Sequence, residues 1–86
     1  MQRGWVVSPD YRALIDALKD ARTQAGISQR ELARRIGKPP SFVNKIELLE
    51  RRLDVLEFIA LAETMGFRAD ELLRRVRGDL PGTITL

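Results

Sequence analysis

Apolar residues return along this chain every three or four positions, in blocks broken by glycine, proline and polar caps, and this pattern predicts five helices. Ser8-Pro9 opens the first, a hydroxyl cap followed by the residue best tolerated at the first helical position. Tyr11, Leu14, Ile15, Leu18, Arg22 and Ala25 follow at helical spacing, and Gly26 closes the block as a left-handed cap. Ser28-Gln29-Arg30-Glu31 has the capping-box form and starts a short second helix, with Leu32, Ala33 and Ile36 turned inward and Gly37 as its stop. Asp54 to Glu57 repeats that form ahead of a fourth block with Leu56, Ile59, Ala60 and Met65, ending at Gly66. In the fifth, Asp70 and Glu71 lie in the first turn and Arg74, Arg75 and Arg77 in the last, which suits the helix dipole, and Gly78 stops it. "GWVV" near the start and the tail "DLPGTITL" have strand character, but both read as frayed ends rather than paired strands.

The third block is different in kind. Lys38-Pro39-Pro40 must be extended, since each proline pushes its predecessor out of helical geometry, and Pro40 suits the first position of a helix over about 40–48. Only Val43 and Ile46 face inward. Ser41, Asn44, Lys45 and Leu48 fall at i, i+3, i+4 and i+7, on one outward stripe. Lysine can bond guanine O6 and N7, asparagine can pair with adenine, and serine is permissive. A helix with so little core is better suited to projecting into a groove than to holding a domain together.

Charge sharpens this picture. The net charge is only +3, yet residues 27–54 carry seven basic against four acidic side chains, while residues 55–86 carry four against five. A localised basic excess suits a polyanion partner. Composition mostly excludes. Eighty-six residues allow one small core, and 44% hydrophobic with 31% charged residues is the balance of a soluble globular domain. With no cysteine and no histidine, disulfides, the usual metal ligands and the usual neutral-pH general base are missing. No enzyme, metal or cofactor is therefore expected. The apolar run Phe58 to Ala62 is too short to span a bilayer, and the N-terminus lacks a signal-peptide core, so a cytoplasmic, nucleoid-associated location is expected. "RGD" at Arg77 to Asp79 ends a helix and carries no adhesive reading; Gly37-Lys38 lacks the rest of a phosphate loop.

Ala21 to Glu47, "ARTQAGISQRELARRIGKPPSFVNKIE", resembles the Cro/cI-type (Xre-like) helix-turn-helix regulators, through Arg22, Gly26-Ile27, Ser28-Gln29, Glu31-Leu32-Ala33, Ile36-Gly37, Ser41, Val43 and Ile46-Glu47. "LDVLEFIALAETMGFRADELL" is similar to that family's last two helices, so the likeness covers roughly residues 9–76. It implies an all-α, five-helix, lambda-repressor-like DNA-binding domain over residues 9–77, with an arm at 1–8 and a tail at 78–86. It further implies that Ser41, Asn44 and Lys45 face base edges, with Pro40 and Phe42 at the rim, where an apolar group meets a thymine methyl. Gln29 would bond a phosphate and buttress the recognition helix, and Lys38, Arg51 and Arg52 would contact phosphates from the flanking turns. Arg22 and Glu47 would form an internal salt bridge, while Arg34 and Arg35 read as a solvated face.

Two departures from that family stand out. Pro39 occupies the usual place of a capping Ser or Thr, which leaves the third helix to be capped by Ser41. Leu49 replaces the usual terminal glycine, so the helix is expected either to run on through Glu50 or to bury Leu49 against Leu53 and the fourth helix. Leu48, on the exposed stripe, is a candidate protein contact.

The expected function is a sequence-specific regulator, most simply a repressor, reading a near-palindromic operator in double-stranded DNA through the major groove. The fifth helix, the tail and the arm (where Trp5 is an anchor or part of an interface) are candidate dimer contacts, for a homodimer or a heterodimer with a related helix-turn-helix protein. The alternatives are an antitoxin that also binds a toxin, and a protein-binding co-regulator or scaffold.

Overall fold

Three helix starts are fixed by side chains in the computed structural model, which describes residues 8–86. The Ser8 hydroxyl accepts from the Tyr11 amide at 3.0 Å and opens α1, Pro9–Gln24. The Ser28 hydroxyl accepts from the Glu31 amide at 3.1 Å and opens α2, Gln29–Arg35. At α4, Val55–Thr64, the box is reciprocal: Asp54 accepts from the Glu57 amide at 2.7 Å, and the Glu57 carboxylate accepts from the Asp54 amide at 3.0 Å. The box at Ser28 is only half made, because Glu31 turns instead to Arg34 and Arg35. α5, Ala69–Gly78, starts without a side-chain cap.

Helix ends follow one device. After α1, α2 and α4, Gly26, Gly37 and Gly66 take positive φ, and the next residue's amide reaches back five residues to a carbonyl of the last turn. α3, Phe42–Glu47, ends the same way, with the Glu50 amide donating to the Lys45 carbonyl at 2.9 Å and the Leu49 amide to Ile46 at 3.0 Å. The left-handed residue there is Leu49, at φ +63°. The helix therefore does not run on through Glu50. Leucine accepts the steric cost because its side chain is only 5% exposed, within the common core. At its other end α3 begins two residues later than Pro40: Pro40 and Ser41 form a turn, closed by the Phe42 amide on the Pro39 carbonyl at 3.0 Å, and Ser41 makes no side-chain cap.

One core joins Ile15, Leu18 and Ala21 of α1 with Leu32 and Ala33 of α2, Phe42, Val43 and Ile46 of α3, Phe58, Leu61, Ala62 and Met65 at α4, and Leu72 and Val76 of α5. α1 packs on α3 and α5, and α2 on α3 and α4. Of the residues that mark α4 in the sequence, only Met65 is fully buried; Leu56 and Ala60 are exposed. That stretch is apolar nearly all round, so spacing does not reveal which face turns inward.

No strand occurs among the described residues, and "GWVV" lies outside them. The tail is pinned to the domain. The Thr85 amide donates to the Asp10 carboxylate at 2.6 Å, and Arg77 donates to the Pro81 and Gly82 carbonyls at 2.9 and 3.2 Å. No described helix is long and apolar enough to cross a membrane.

Candidate nucleic-acid interface

The site is built around Glu47, the last residue of α3. Arg22 of α1 holds its carboxylate with a fork, Nε to Oε2 at 2.7 Å and a terminal nitrogen to Oε1 at 3.0 Å. Both side chains are nearly buried, 10% and 8% exposed. The remaining guanidinium nitrogen donates to the Ile27 carbonyl at 2.9 Å, in the turn before α2. Gln29, the first residue of α2, donates Nε2 to Glu47 Oε1 at 2.7 Å. One carboxylate thus takes donors from both preceding helices and fixes where α3 ends. Gln29 buttresses α3 in this way.

Fixed from behind, α3 turns Phe42, Val43 and Ile46 into the core. Ser41, Lys45 and Leu48 lie on the exposed side, and Asn44 is half-buried between them. The expected outward stripe is therefore present, with Pro40 exposed at its start and Leu48 half exposed at its end. Phe42 corrects the expectation of a rim contact. It is 7% exposed and belongs to the core, because the helix starts at this residue and the turn before it directs the ring inward.

The Phe42 ring still organises charge. The Lys38 ammonium lies 5.5 Å from its centroid and the Arg51 guanidinium 4.7 Å, so one ring steadies cations from both flanking turns. Arg51 also forks onto Glu57 at 2.6 and 2.9 Å and donates to the Arg52 carbonyl at 2.8 Å. The hydrogen bond from Arg51 is the main reason the Glu57 carboxyl is held below the usual range, with burial opposing it. Arg51, expected as a phosphate contact, is committed here to Glu57 and the Arg52 carbonyl and braces the α3–α4 connection. Arg52 lies 4.9 Å over the Tyr11 ring, and the Tyr11 hydroxyl accepts the Leu53 amide at 3.0 Å. Neither Glu57 nor Tyr11 stands out in the sequence as part of the site. The capping pattern gives Glu57 its place on α4, but no spacing rule links it to Arg51 or Tyr11 to Leu53.

Arg34 and Arg35 both grip Glu31, at 2.6 and 2.7 Å, on an exposed face of α2. Hydrogen bonds from Arg34 first, then Arg35, lower the Glu31 pKa to about 2. No cluster of acidic side chains suited to a metal occurs among the described residues.

Residues 18–72 match the helix-turn-helix family. No curated protein matches the chain. Among solved structures, an XRE-family like protein from Pseudomonas syringae pv. tomato str. DC3000 is 47% identical. That match covers 84% of this chain and 88% of the other, with a TM-score of 0.76. The clp gene regulator ClgR from C. glutamicum shares the fold at 20% identity and TM-score 0.71, covering 86% and 95% of the two chains. With the two-helix unit, the outward stripe on α3 and these matches together, the chain belongs to the XRE-like helix-turn-helix family of DNA-binding transcriptional regulators.

Proposed function

We propose that the protein represses transcription by binding a near-palindromic operator as a dimer, with α3 of each copy in the major groove. The observation that carries this reading is the two-sided character of α3, where buried Phe42, Val43 and Ile46 back an exposed Lys45 and a half-buried Asn44, with exposed Ser41 and Leu48 at its two ends. Ser41, Asn44 and Lys45 read base edges, with Pro40 alongside. Lys38, Arg52 and the second amide proton of Gln29 contact phosphates, while Arg51 holds the loop that presents Arg52. One six-residue helix reads too few base pairs to select a site, so two copies about 34 Å apart supply the specificity.

Immunoprecipitation of the tagged protein with genome-wide sequencing tests this. Sharp peaks sharing an inverted repeat at promoters, with neighbouring transcripts rising when the gene is deleted, are expected. A folded protein with no enriched sites would overturn the operator reading, and falling transcripts would replace repression by activation. Asn44→Ala with Lys45→Ala should abolish site preference and leave the fold intact; unchanged DNA affinity would remove α3 from the interface.

A further inference from the structure

The peptide unit between Arg52 and Leu53, in the turn from α3 to α4, is held at both of its polar groups by side chains. Its carbonyl accepts from the Arg51 guanidinium at 2.8 Å, and its amide donates to the Tyr11 hydroxyl at 3.0 Å. Arg51 is itself forked onto Glu57, and the next amide, that of Asp54, donates to the same carboxylate at 3.0 Å. The backbone that follows Arg52 is therefore fixed, while the Arg52 side chain is exposed.

Tyr11 reaches this turn across 42 residues of sequence, from the first turn of α1. Its own amide donates to the Ser8 hydroxyl at 3.0 Å, and its half-buried ring packs against the core, so the hydroxyl is offered from a rigid base. The same ring lies under the Arg52 guanidinium, 4.9 Å from centroid to the central carbon. One side chain thus holds both the backbone beside Arg52 and the head group of Arg52. Filling the core asks only for a ring; the bond to Leu53 and the place under Arg52 go beyond that.

We propose that Tyr11 is a positioning residue for DNA binding, which sets the Arg52 guanidinium towards the phosphate backbone before DNA arrives. The inference rests on the reading of Arg52 as a phosphate contact. A ring contact uses the face of a guanidinium, whereas a phosphate is bound through its N–H edge, so both can hold the group together. An arginine fixed on a phosphate gives up rotamer freedom, and one already confined gives up less. For one such side chain the difference corresponds to about two- to tenfold in affinity.

A double-mutant cycle of Tyr11→Leu and Arg52→Ala tests this, read by fluorescence anisotropy on a labelled random-sequence duplex across a salt series. With Arg52 present, Tyr11→Leu should weaken binding about two- to tenfold; with Arg52→Ala in place it should cost nothing further. Tyr11→Phe, which keeps the ring and its packing, should give a smaller loss that also requires Arg52, and it decides alone if Tyr11→Leu fails to fold by circular dichroism. Equal losses with and without Arg52 would overturn the proposal and leave Tyr11 a core residue. So would unchanged binding in the Tyr11 variants where Arg52→Ala itself weakens binding. If Arg52→Ala changes neither affinity nor salt slope, the phosphate reading of Arg52 falls first and the proposal with it.

Discussion

Leu49 combines two opposing effects in one residue. Its φ of +63° costs a leucine about 1–2 kcal/mol, and burying its side chain returns roughly 1.5–3 kcal/mol. Leu49→Ala keeps the backbone strain and loses the burial, whereas Leu49→Gly loses the burial and removes the strain. The glycine variant should therefore be the more stable of the two by about 1 kcal/mol, the reverse of their usual order at ordinary backbone positions. Urea unfolding of both variants measures this; an alanine variant equal to or better than glycine would show that position 49 tolerates its conformation without strain.

At the scale of elements, the connections depend on a few ion pairs. Glu47→Gln leaves Arg22 nearly buried beside a neutral partner, and should cost about 3–5 kcal/mol by chemical denaturation. A loss below about 1 kcal/mol would mean that α1, α2 and α3 keep their arrangement without this carboxylate. Acid acts on the pairs at Glu31 and Glu57. Glu31 is lowered from 4.5 to about 2 in the folded protein, and Glu57 is lowered as well. Carboxylates of this kind add stability that is complete above their unfolded pKa and is lost as pH falls through the folded one. Stability should therefore decline from about pH 4.5 towards 2, and Glu57→Gln should flatten the decline. An unaltered acid limb in thermal melts of that variant would remove Glu57 from its cause. These elements differ in how far they can be read from sequence. Ser8-Pro9, Ser28 and the Asp54–Glu57 box announce three helix starts, because caps act over three residues of local chain. The end of α3 stays open between two readings, because the choice depends on how well the core receives Leu49. Phe42 is misplaced by sequence for a related reason: whether a ring at a helix start turns in or out is decided by tertiary packing. The Arg22–Glu47 pair is legible only through family likeness, since nothing local joins residues 25 apart.

For the whole molecule, the basic excess of residues 27–54 is divided in the fold: Arg34 and Arg35 pair with Glu31 on α2, Arg51 pairs with Glu57, and Lys38 and Arg52 lie in the turns on either side of α3. Its contribution to DNA binding should be additive and indifferent to sequence. Lys38→Ala or Arg52→Ala should weaken binding to operator and random duplex alike. Each should also flatten the slope of log affinity against log salt by about one unit, since one phosphate fewer is neutralised. Fluorescence anisotropy across a salt series tests this. An altered base preference in place of a uniform weakening would move either residue from the backbone to the base edges.

The outward stripe of α3 takes almost no part in holding the domain together, since the core uses Phe42, Val43 and Ile46 and the bracing uses Glu47. Changes at Ser41 and Lys45 should cost within about 0.5 kcal/mol of stability. On the proposed function, recognition and folding would fall on separate residues of the same short helix and its two ends. If the stripe reads the operator as proposed, the scaffold would exchange one operator for another by a few substitutions, and duplicated copies of the gene would be free to diverge in target while sharing one fold.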